Sequence, residues 1–409
     1  FNPYSGGGVY WLTFGGDFSG EPRRINSKSY SGNYSAYTKV PIQTHLEEEV
    51  YQTSKDFQWA WRKYFGVETA TYNLDFNLSD IDLNSTQTAK FRFLGDSGSI
   101  TYSLSVEING HVIIDNNQYS GFIFYPNGSG EFLINGNNNV KITVQRDSAA
   151  DLYLDYLDLN YQIILNKSAT QFEMPIIENS HISYAKYVFT GNNTNLHIYE
   201  VNDFDDVNLI NANPTSTGFE FNGLVNSSVV YYISNHNDYL TVQSFLEQNN
   251  KDIINESTPY DCIIITPEIF AEQAGEIKNL HSTYFGINTK IVDLNNVFAH
   301  FNGGMDDPYA IRNFLKHAFN EYPSTEEHNL RYVLLMGSGS SDWRNFSSRA
   351  TEKNKMIVLL KDFPTDDKFT IFGSSLPNLS IGRLPAENVQ EMNTIIAKLK
   401  QYIENPTPG

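Results

Sequence analysis

The chain has 409 residues, with 47 acidic and 28 basic side chains and a formal net charge of -19. This length is enough for two or three domains with their own buried cores. The negative charge argues against nucleic acid and anionic membrane surfaces as partners, because both are bound by clustered Lys and Arg. The single cysteine, Cys262, excludes an internal disulfide and a zinc site built from several cysteines.

The start of the chain carries no targeting pattern. It begins at Phe1 with no initiator methionine and no signal-peptide pattern, so we expect a mature form or an excised piece of a longer protein. The apolar runs are far shorter than the ~20 residues that span a bilayer. We therefore expect no insertion into a membrane.

Charge is divided unevenly along the chain. Residues 1–257 contain 29 acidic and 14 basic side chains, a net charge of -15. Residues 258–409 contain 18 acidic and 14 basic side chains, a net charge of -4. We therefore expect two bodies of different character, joined near residue 257.

Short alternating segments predict β-strands in the first part. Residues 100–108 alternate between apolar and polar side chains, and an Asn-Gly hairpin signal follows at Asn109. Short strands at this spacing favour a jelly-roll-like β-sandwich over residues 67–165. We expect an aromatic-rich segment over residues 1–66 to pack on this sandwich, and a small β-rich domain over residues 166–257.

Trp59 and Trp61 belong to an aromatic cluster that precedes the predicted sandwich. Aromatic rings beside an acidic β-sandwich can form a sugar-binding platform, so both are candidates for glycan binding. Packing in a core or between domains is the alternative. We favour packing, because one aromatic ring buries a large apolar area.

The second part alternates buried strands with amphipathic helices. Cys262–Thr266 is a continuous apolar run, typical of a strand buried on both faces. Asp307 followed by Pro308 predicts a helix N-terminus. We expect a parallel sheet of βαβ units, whose ligands gather at the carboxyl ends of the strands. Further strands are expected at 289–294, 331–336 and 378–381, with loops of interest at 266–268, 295–306, 337–345 and 382–386.

Three acidic residues near the predicted strand ends form the best candidate metal site. Asp342, Asp366 and Asp367 could hold a calcium ion through carboxylate oxygens. A solvated loop is the alternative. We interpret Cys262 as a core residue, because a nucleophile needs an exposed thiolate with a base in reach.

Four segments of the second part resemble motifs of the gingipain-type cysteine peptidases. Residues 301–315 (FNGGMDDPYAIRNFL) resemble the family signature GGxxDPxAIRxF. Residues 332–345 (YVLLMGSGSSDWRN), 364–367 (PTDD) and 376–386 (LPNLSIGRLPA) resemble its strand, acidic-turn and IGRLP segments. They occur in the order that the family shows.

The resemblance implies a caspase-like pair of α/β subdomains, the second of which carries a catalytic His–Cys dyad. No cysteine follows Cys262, so this chain would hold the first subdomain only and we expect it to be inactive. The whole protein would be a secreted or cell-surface cysteine endopeptidase, or a type IX secretion sortase. Its partners would be protein or peptide substrates and other secretion-system components.

Two departures from the family pattern weaken the calcium prediction. Ser338 replaces the usual Asp of the glycine loop, and Gly373, Ser374 and Ser375 replace an acidic run. The alternative class of function is a non-catalytic cell-surface module that binds glycan or protein.

Overall fold

The structure is a computed structural model that describes residues 25–53, 58–64, 69–166, 171–175, 183–191, 196–203, 206–225, 229–235, 241, 251–340, 365–373 and 375–406. The chain forms two compact units, a β-rich unit within residues 18–53 and 59–245 and an α/β unit that contains residues 246–409. This succession of β-sheets and then a parallel sheet with helices confirms the predicted fold class. The finer domain limits stay predictions. No helix in these ranges is long and apolar enough to cross a membrane.

Most strands of the β-rich unit pair in antiparallel fashion. The first fourteen are β1 (Asn26–Lys28), β2 (Ala36–Tyr37), β3 (Lys39–Glu47), β4 (Tyr51–Gln52), β5 (Trp59–Ala60), β6 (Arg62–Tyr64), β7 (Ala70–Leu78), β8 (Gln87–Gly95), β9 (Thr101–Ile108), β10 (His111–Ser120), β11 (Ile123–Phe124), β12 (Asn127–Gly130), β13 (Gly136–Arg146) and β14 (Leu152–Ile164). They are followed by β15 (Gln171–Pro175), β16 (Ser183–Thr190), β17 (Leu196–Asp203), β18 (Asp206–Ile210), β19 (Asn213–Pro214), β20 (Gly218–Val225) and β21 (Val230–Asn235).

Strands β3 to β14 contain the predicted sandwich. One sheet has the order β10-β9-β13-β7, and the other has the order β11-β8-β14-β3 with β12 beside β8 and β6 beside β14. The inward residues of β9, from Tyr102 to Ile108, are fully buried, which confirms the alternation seen in the sequence. Asn109 and Gly110 have φ of 51° and 81°, as the two-residue turn between β9 and β10 requires.

Strand β3 is not predicted from the sequence, although Val40 and Ile42 are buried in the core. Pro41 has no N–H to donate to a neighbouring strand, and its presence speaks against a central strand. The conflict is resolved because β3 lies at the edge of its sheet, beside β14. The segment before it also adds β1 beside β18 and β2 beside β16, both parallel.

Two further sheets are formed mainly by strands that follow the sandwich in sequence, with β1 and β2 added from before it. Their orders are β1-β18-β17-β21-β15 and β19-β20-β16-β2. Fully buried aromatic side chains pack between them, including Tyr187, Phe221 and Tyr231. This arrangement is the small β-rich body expected after the sandwich.

A buried carboxylate ties strand β1 to this body. The side chain of Glu200 on β17 is 0% exposed and accepts hydrogen bonds from Lys28 Nζ at 2.7 Å and Tyr30 Oη at 2.9 Å. The hydroxyl of Tyr231 donates to the other oxygen at 2.9 Å and accepts from Leu224 N–H at 2.6 Å. Burial and the contact with Glu200 raise the pKa of Tyr30 to about 12. A buried charge is tolerated when it is paired and hydrogen-bonded, as here.

Amide side chains hold the loop that precedes β13. The carbonyl oxygen of Gln87 accepts from the backbone N–H groups of Phe132 and Leu133 at 2.6 and 2.8 Å. Asn138 accepts from Ile134 N–H at 2.9 Å and donates to the carbonyl of Ile134 at 2.8 Å. Because Gln87 and Asn138 are 0% exposed, these bonds take the place of water for the loop backbone.

The α/β unit alternates strands and helices. Its elements are β22 (Cys262–Thr266), α1 (Ala271–Leu280), β23 (Thr289–Asp293), α2 (Leu294–Asn302), α3 (Pro308–Glu321), β24 (Tyr332–Met336), β25 (Ser380–Leu384) and α4 (Val389–Glu404).

The sheet of this unit is entirely parallel, with the order β23-β22-β24-β25. All five residues of β22 are buried, as the continuous apolar run predicted. Ile263 and Ile265 face a core formed with α2 and α3, whereas Cys262 and Ile264 face a core formed with α1 and α4. Helices therefore cover both faces of the sheet.

The N-terminus of α3 follows the predicted signal, and a glycine ends the helical segment after α1. Asp307 accepts a hydrogen bond from Tyr309 N–H at 2.8 Å and caps α3, whose first residue is Pro308. After α1 the chain continues as one π-helical turn over His281–Phe285 and ends at Gly286, which has a left-handed φ of 63°. A residue without Cβ adopts this conformation at little cost.

We predict that Tyr231→Phe destabilises the β-rich unit by about 1–3 kcal/mol, because it removes one donor from the buried carboxylate of Glu200. Urea unfolding of the 409-residue chain measures the change. Tyr184→Phe, which removes a hydroxyl from a tyrosine that is 43% exposed, serves as the control and should change little. Equal effects of the two variants would contradict the role of Glu200.

His45 on β3 lies between two carboxylates. Its Nδ1 is 2.6 Å from Asp158 Oδ1 on β14, and its Nε2 is 2.9 Å from Glu47 Oε2. Burial opposes the charged ring, but the hydrogen bonds to Glu47 and Asp158 outweigh it and raise the pKa of His45. Both ring nitrogens donate only in the protonated imidazolium.

The raised pKa of His45 makes its contribution to stability depend on pH. That contribution is complete below the unfolded-state pKa of about 6.5 and is lost as the pH rises through the folded-state pKa. We expect the difference in urea midpoint between wild type and His45→Gln to shrink from about pH 6 to about pH 9. His111→Gln, at an exposed histidine, is the control. A difference that grows with pH would contradict the pairing.

Candidate functional site

The candidate site is the carboxyl edge of the parallel sheet, defined by the strand ends Thr266, Asp293, Met336 and Leu384. The first strand, β22, lies between β23 and β24, so successive connections run to opposite sides of it. Such a switch point is where ligands of parallel sheets bind. The predicted loops at 266–268 and 337–340 lie at this edge, whereas 341–345 is outside the described residues. The loop predicted at 382–386 is partly wrong, because residues 382–384 belong to β25.

A second predicted loop is wrong over most of its length. Residues 295–306 were expected to be a loop, but α2 occupies most of this stretch. Asp293 caps the helix by accepting from Asn295 N–H at 2.8 Å and Asn296 N–H at 3.3 Å. Burial raises the pKa of Asp293, although these two bonds act against it. An Asp cap followed by apolar residues at helical spacing is the signal that could have predicted the helix.

Arg383 is the most extensively bonded side chain at the described part of this edge. It projects from β25, and Nε and Nη2 donate to the two carboxylate oxygens of Asp366 at 2.8 and 2.6 Å. Nη1 donates to the carbonyl oxygen of Gly337 at 2.9 Å. Only 12% of the Arg383 side chain is exposed. A guanidinium supplies this planar fork, which a carboxylate accepts in bidentate fashion.

The backbone after β24 is held beside β25. Gly337 N–H donates to Leu384 O at 2.9 Å, and Ser338 N–H donates to Ala386 O at 3.0 Å. Gly337 has a φ of 117°, a conformation that favours glycine. The parallel ladder therefore continues beyond the strand ends into both loops.

The acidic residues proposed as calcium ligands differ in their hydrogen-bond partners and in their exposure to solvent. Asp366 is bound to Arg383, and Asp367 is exposed, with its N–H donated to Thr365 Oγ1 at 3.4 Å. Asp342 lies outside the described residues. Within the described ranges, no three His, Cys, Asp or Glu side chains are arranged to hold a metal ion. The calcium site stays a prediction.

Cys262 lies at the opposite end of β22, away from the carboxyl edge. It is 2% exposed, and burial raises the pKa of its thiol to about 12. Its register partner Thr289 accepts or donates a hydrogen bond with His281 Nδ1 at 2.9 Å, so the threonine stands between thiol and imidazole. A thiol in this position stays protonated near neutral pH, which confirms the interpretation as a core residue.

The two tryptophans proposed for glycan binding are not equally accessible. Trp61 is 6% exposed and belongs to the core of the β-rich unit, which fits the packing alternative. Trp59 is half-buried in β5. Glycan binding through these residues stays a prediction.

The pairing of Arg383 is the feature of the site that sequence reasoning missed. From the sequence, Arg383 is expected in the predicted loop 382–386, whereas in the structure it lies inside the strand Ser380–Leu384, where a largely buried arginine needs a carboxylate partner. The sequence does not show which carboxylate Arg383 binds, because Asp366 lies seventeen positions earlier in the chain.

The C-terminal part of the chain matches a known family. Residues 255–409 are matched by the model of peptidase family C25. This match confirms the resemblance of the second part of the chain to the gingipain-type cysteine peptidases.

The fold of the chain is similar to that of a solved structure, dimeric latent PorU from Porphyromonas gingivalis. The TM-score is 0.74 at 16% sequence identity, and the match covers 93% of this chain and 40% of that chain. At 16% sequence identity, this similarity shows that the two chains share a fold and supports no conclusion beyond the fold. The chain spans 40% of the length of PorU.

Weaker likenesses support no conclusion. A family 35 carbohydrate-binding module from Clostridium thermocellum matches with a TM-score of 0.22 at 14% identity, covering 29% of this chain and 90% of the module. CBM35 from Paenibacillus barcinonensis matches with a TM-score of 0.20 at 15% identity, covering 29% and 91%. A search of curated proteins found no match.

We predict that iodoacetamide alkylates Cys262 at least about 100-fold more slowly in the folded chain than in the urea-unfolded chain near neutral pH, because the buried thiol is rarely ionised. Mass spectrometry at timed intervals measures both rates, and the unfolded chain is the internal control. Fast labelling of the folded chain would show a reactive thiolate and overturn the core interpretation.

Proposed function

We propose that this chain is part of a cysteine endopeptidase of the C25 type, or of a type IX secretion sortase, whose catalytic Cys and His lie outside these 409 residues. The observation that carries the proposal is the match of residues 255–409 to this peptidase family. The only cysteine of the sequence is buried at the far end of β22, so it does not serve as the nucleophile.

The residues of this chain would form the scaffold of the peptidase. In a cysteine peptidase a thiolate attacks the peptide carbonyl while a histidine transfers the proton. The carboxyl edge of the sheet would supply the loops against which a peptide lies. The β-rich unit would act as an accessory module that contacts the substrate protein or other secretion components.

The proposed setting is the cell surface or the extracellular space, with protein or peptide substrates. A net charge of -19 supports the absence of nucleic acid among the partners.

The test is hydrolysis of quenched fluorescent peptides by two proteins, the 409-residue chain and the complete product of the gene that encodes it. We expect no hydrolysis by the chain, and hydrolysis by the complete product that thiol alkylation abolishes. Cys262→Ser in the complete product is the control and should retain activity, since Cys262 is a core residue.

Two results would contradict the proposal. One is a complete gene product that ends at Gly409 or carries no further cysteine. The other is thiol-dependent hydrolysis by the 409-residue chain itself that Cys262→Ser abolishes.

A further inference from the structure

Three segments at the carboxyl edge are joined through one side chain. They are the loop that begins at Gly337 after β24, the turn Asp366–Thr370, and β25 with the loop that follows it. We propose that Arg383 is a positioning residue of the peptidase site. By binding Asp366 and Gly337 it fixes these segments relative to one another, so that a peptide meets a preformed wall. This inference rests on the proposed function.

The geometry of the contact requires an arginine. All three guanidinium nitrogens of Arg383 donate hydrogen bonds, two to Asp366 and one to Gly337. A lysine would bring one compact charge and could not hold the carboxylate and the carbonyl in the same fork. Because the Asp366 side chain is only 25% exposed, its pairing with Arg383 is partly shielded from water.

The turn that carries Asp366 is also fixed by buried residues at its C-terminal end. Phe369 and Thr370 are fully buried, and Thr370 O accepts from Asn378 N–H at 2.8 Å. The end of the turn at Phe369 and Thr370 is thus part of the core, whereas its start at Asp366 is held by Arg383. Loss of the arginine would free Asp366 while the contacts of Phe369 and Thr370 with the core stay in place.

A second arginine–aspartate contact at the other edge of the same sheet provides a matched control. Arg331, directly before β24, places Nη2 at 3.2 Å from Asp261 Oδ1. Its side chain is 56% exposed, against 12% for Arg383. The carboxylate of Asp261 is buried, but it keeps its contacts with His328 Nδ1 and with the backbone N–H groups of Asn288 and Asn329 when Arg331 is removed. Arg331→Met therefore removes the same type of side chain without touching the carboxyl edge.

Hydrogen exchange of the 409-residue chain tests the positioning directly. Arg383→Met should speed the exchange of the amides of Gly337, Ser338 and residues 366–370, and leave the amides of β22 unchanged. Arg383→Lys should give an intermediate rate, and Arg331→Met should match wild type. Unchanged exchange at the carboxyl edge in Arg383→Met would overturn the inference. If that variant does not fold, Asp366→Asn provides the same readout.

Kinetics of the complete gene product test the consequence for substrate. We expect Arg383→Met to lower kcat/KM by about 100-fold with a raised KM, as displacement of binding groups by about 1 Å does. A mere loss of folded protein would lower the apparent kcat and leave KM unchanged. Arg383→Lys should recover part of the loss, and Arg331→Met should stay within about twofold of wild type.

The two proposals fail in different ways. An active complete product in which Arg383→Met keeps the wild-type KM and kcat would overturn the positioning role and leave the proposed function intact. A complete product without thiol-dependent hydrolysis would overturn the proposed function, and hydrogen exchange would then decide whether Arg383 orders the edge.

Discussion

The burial of β22 on both faces is the constraint on which the α/β unit depends. A parallel strand without an exposed face needs helices above and below it, and α1, α4, α2 and α3 provide them. The same strand lies at the switch point of the sheet, because the connections from successive strands run to opposite sides of it. Ligands of parallel sheets bind at the carboxyl edge beside such a point. The position of Cys262 in β22 removes the thiol from this edge. One strand thus determines both where a ligand would bind and which group cannot perform the chemistry.

Paired buried charges are a second organising element. Glu200 in the β-rich unit and Asp366 in the α/β unit each bind donors from segments far away in sequence, because an unpaired carboxylate in such a place is costly. Lys28, the partner of Glu200, is 172 positions away. These pairs fix segments that backbone pairing alone holds weakly, such as the three-residue strand β1.

The carboxyl edge of the parallel sheet lies in the part of the chain that resembles a peptidase family. The match to peptidase family C25 concerns residues 255–409, and the carboxyl edge described above belongs to that region. In the described residues of this edge, Asp366 accepts hydrogen bonds from Arg383, and the proposed role of Arg383 is to hold these loops in place.

Local patterns determined much of the fold from the sequence alone. The alternation over 100–108, the apolar run Cys262–Thr266 and the Asp307 cap each predict an element that the structure contains, because side-chain burial with period two or 3.6 is a local property. The core position of Cys262 follows from the same run. These features need no knowledge of a distant partner.

Tertiary structure alone decided the rest. Whether Pro41 could belong to a strand depended on β3 being an edge, and whether Trp61 was exposed depended on the core that it joins. Likewise, nothing in the sequence assigned Asp366 to Arg383. The physical reason is common to the three cases. Pairing across a sheet and neutralisation of a buried charge join residues that are distant along the chain, and the sequence specifies each residue but not its partner.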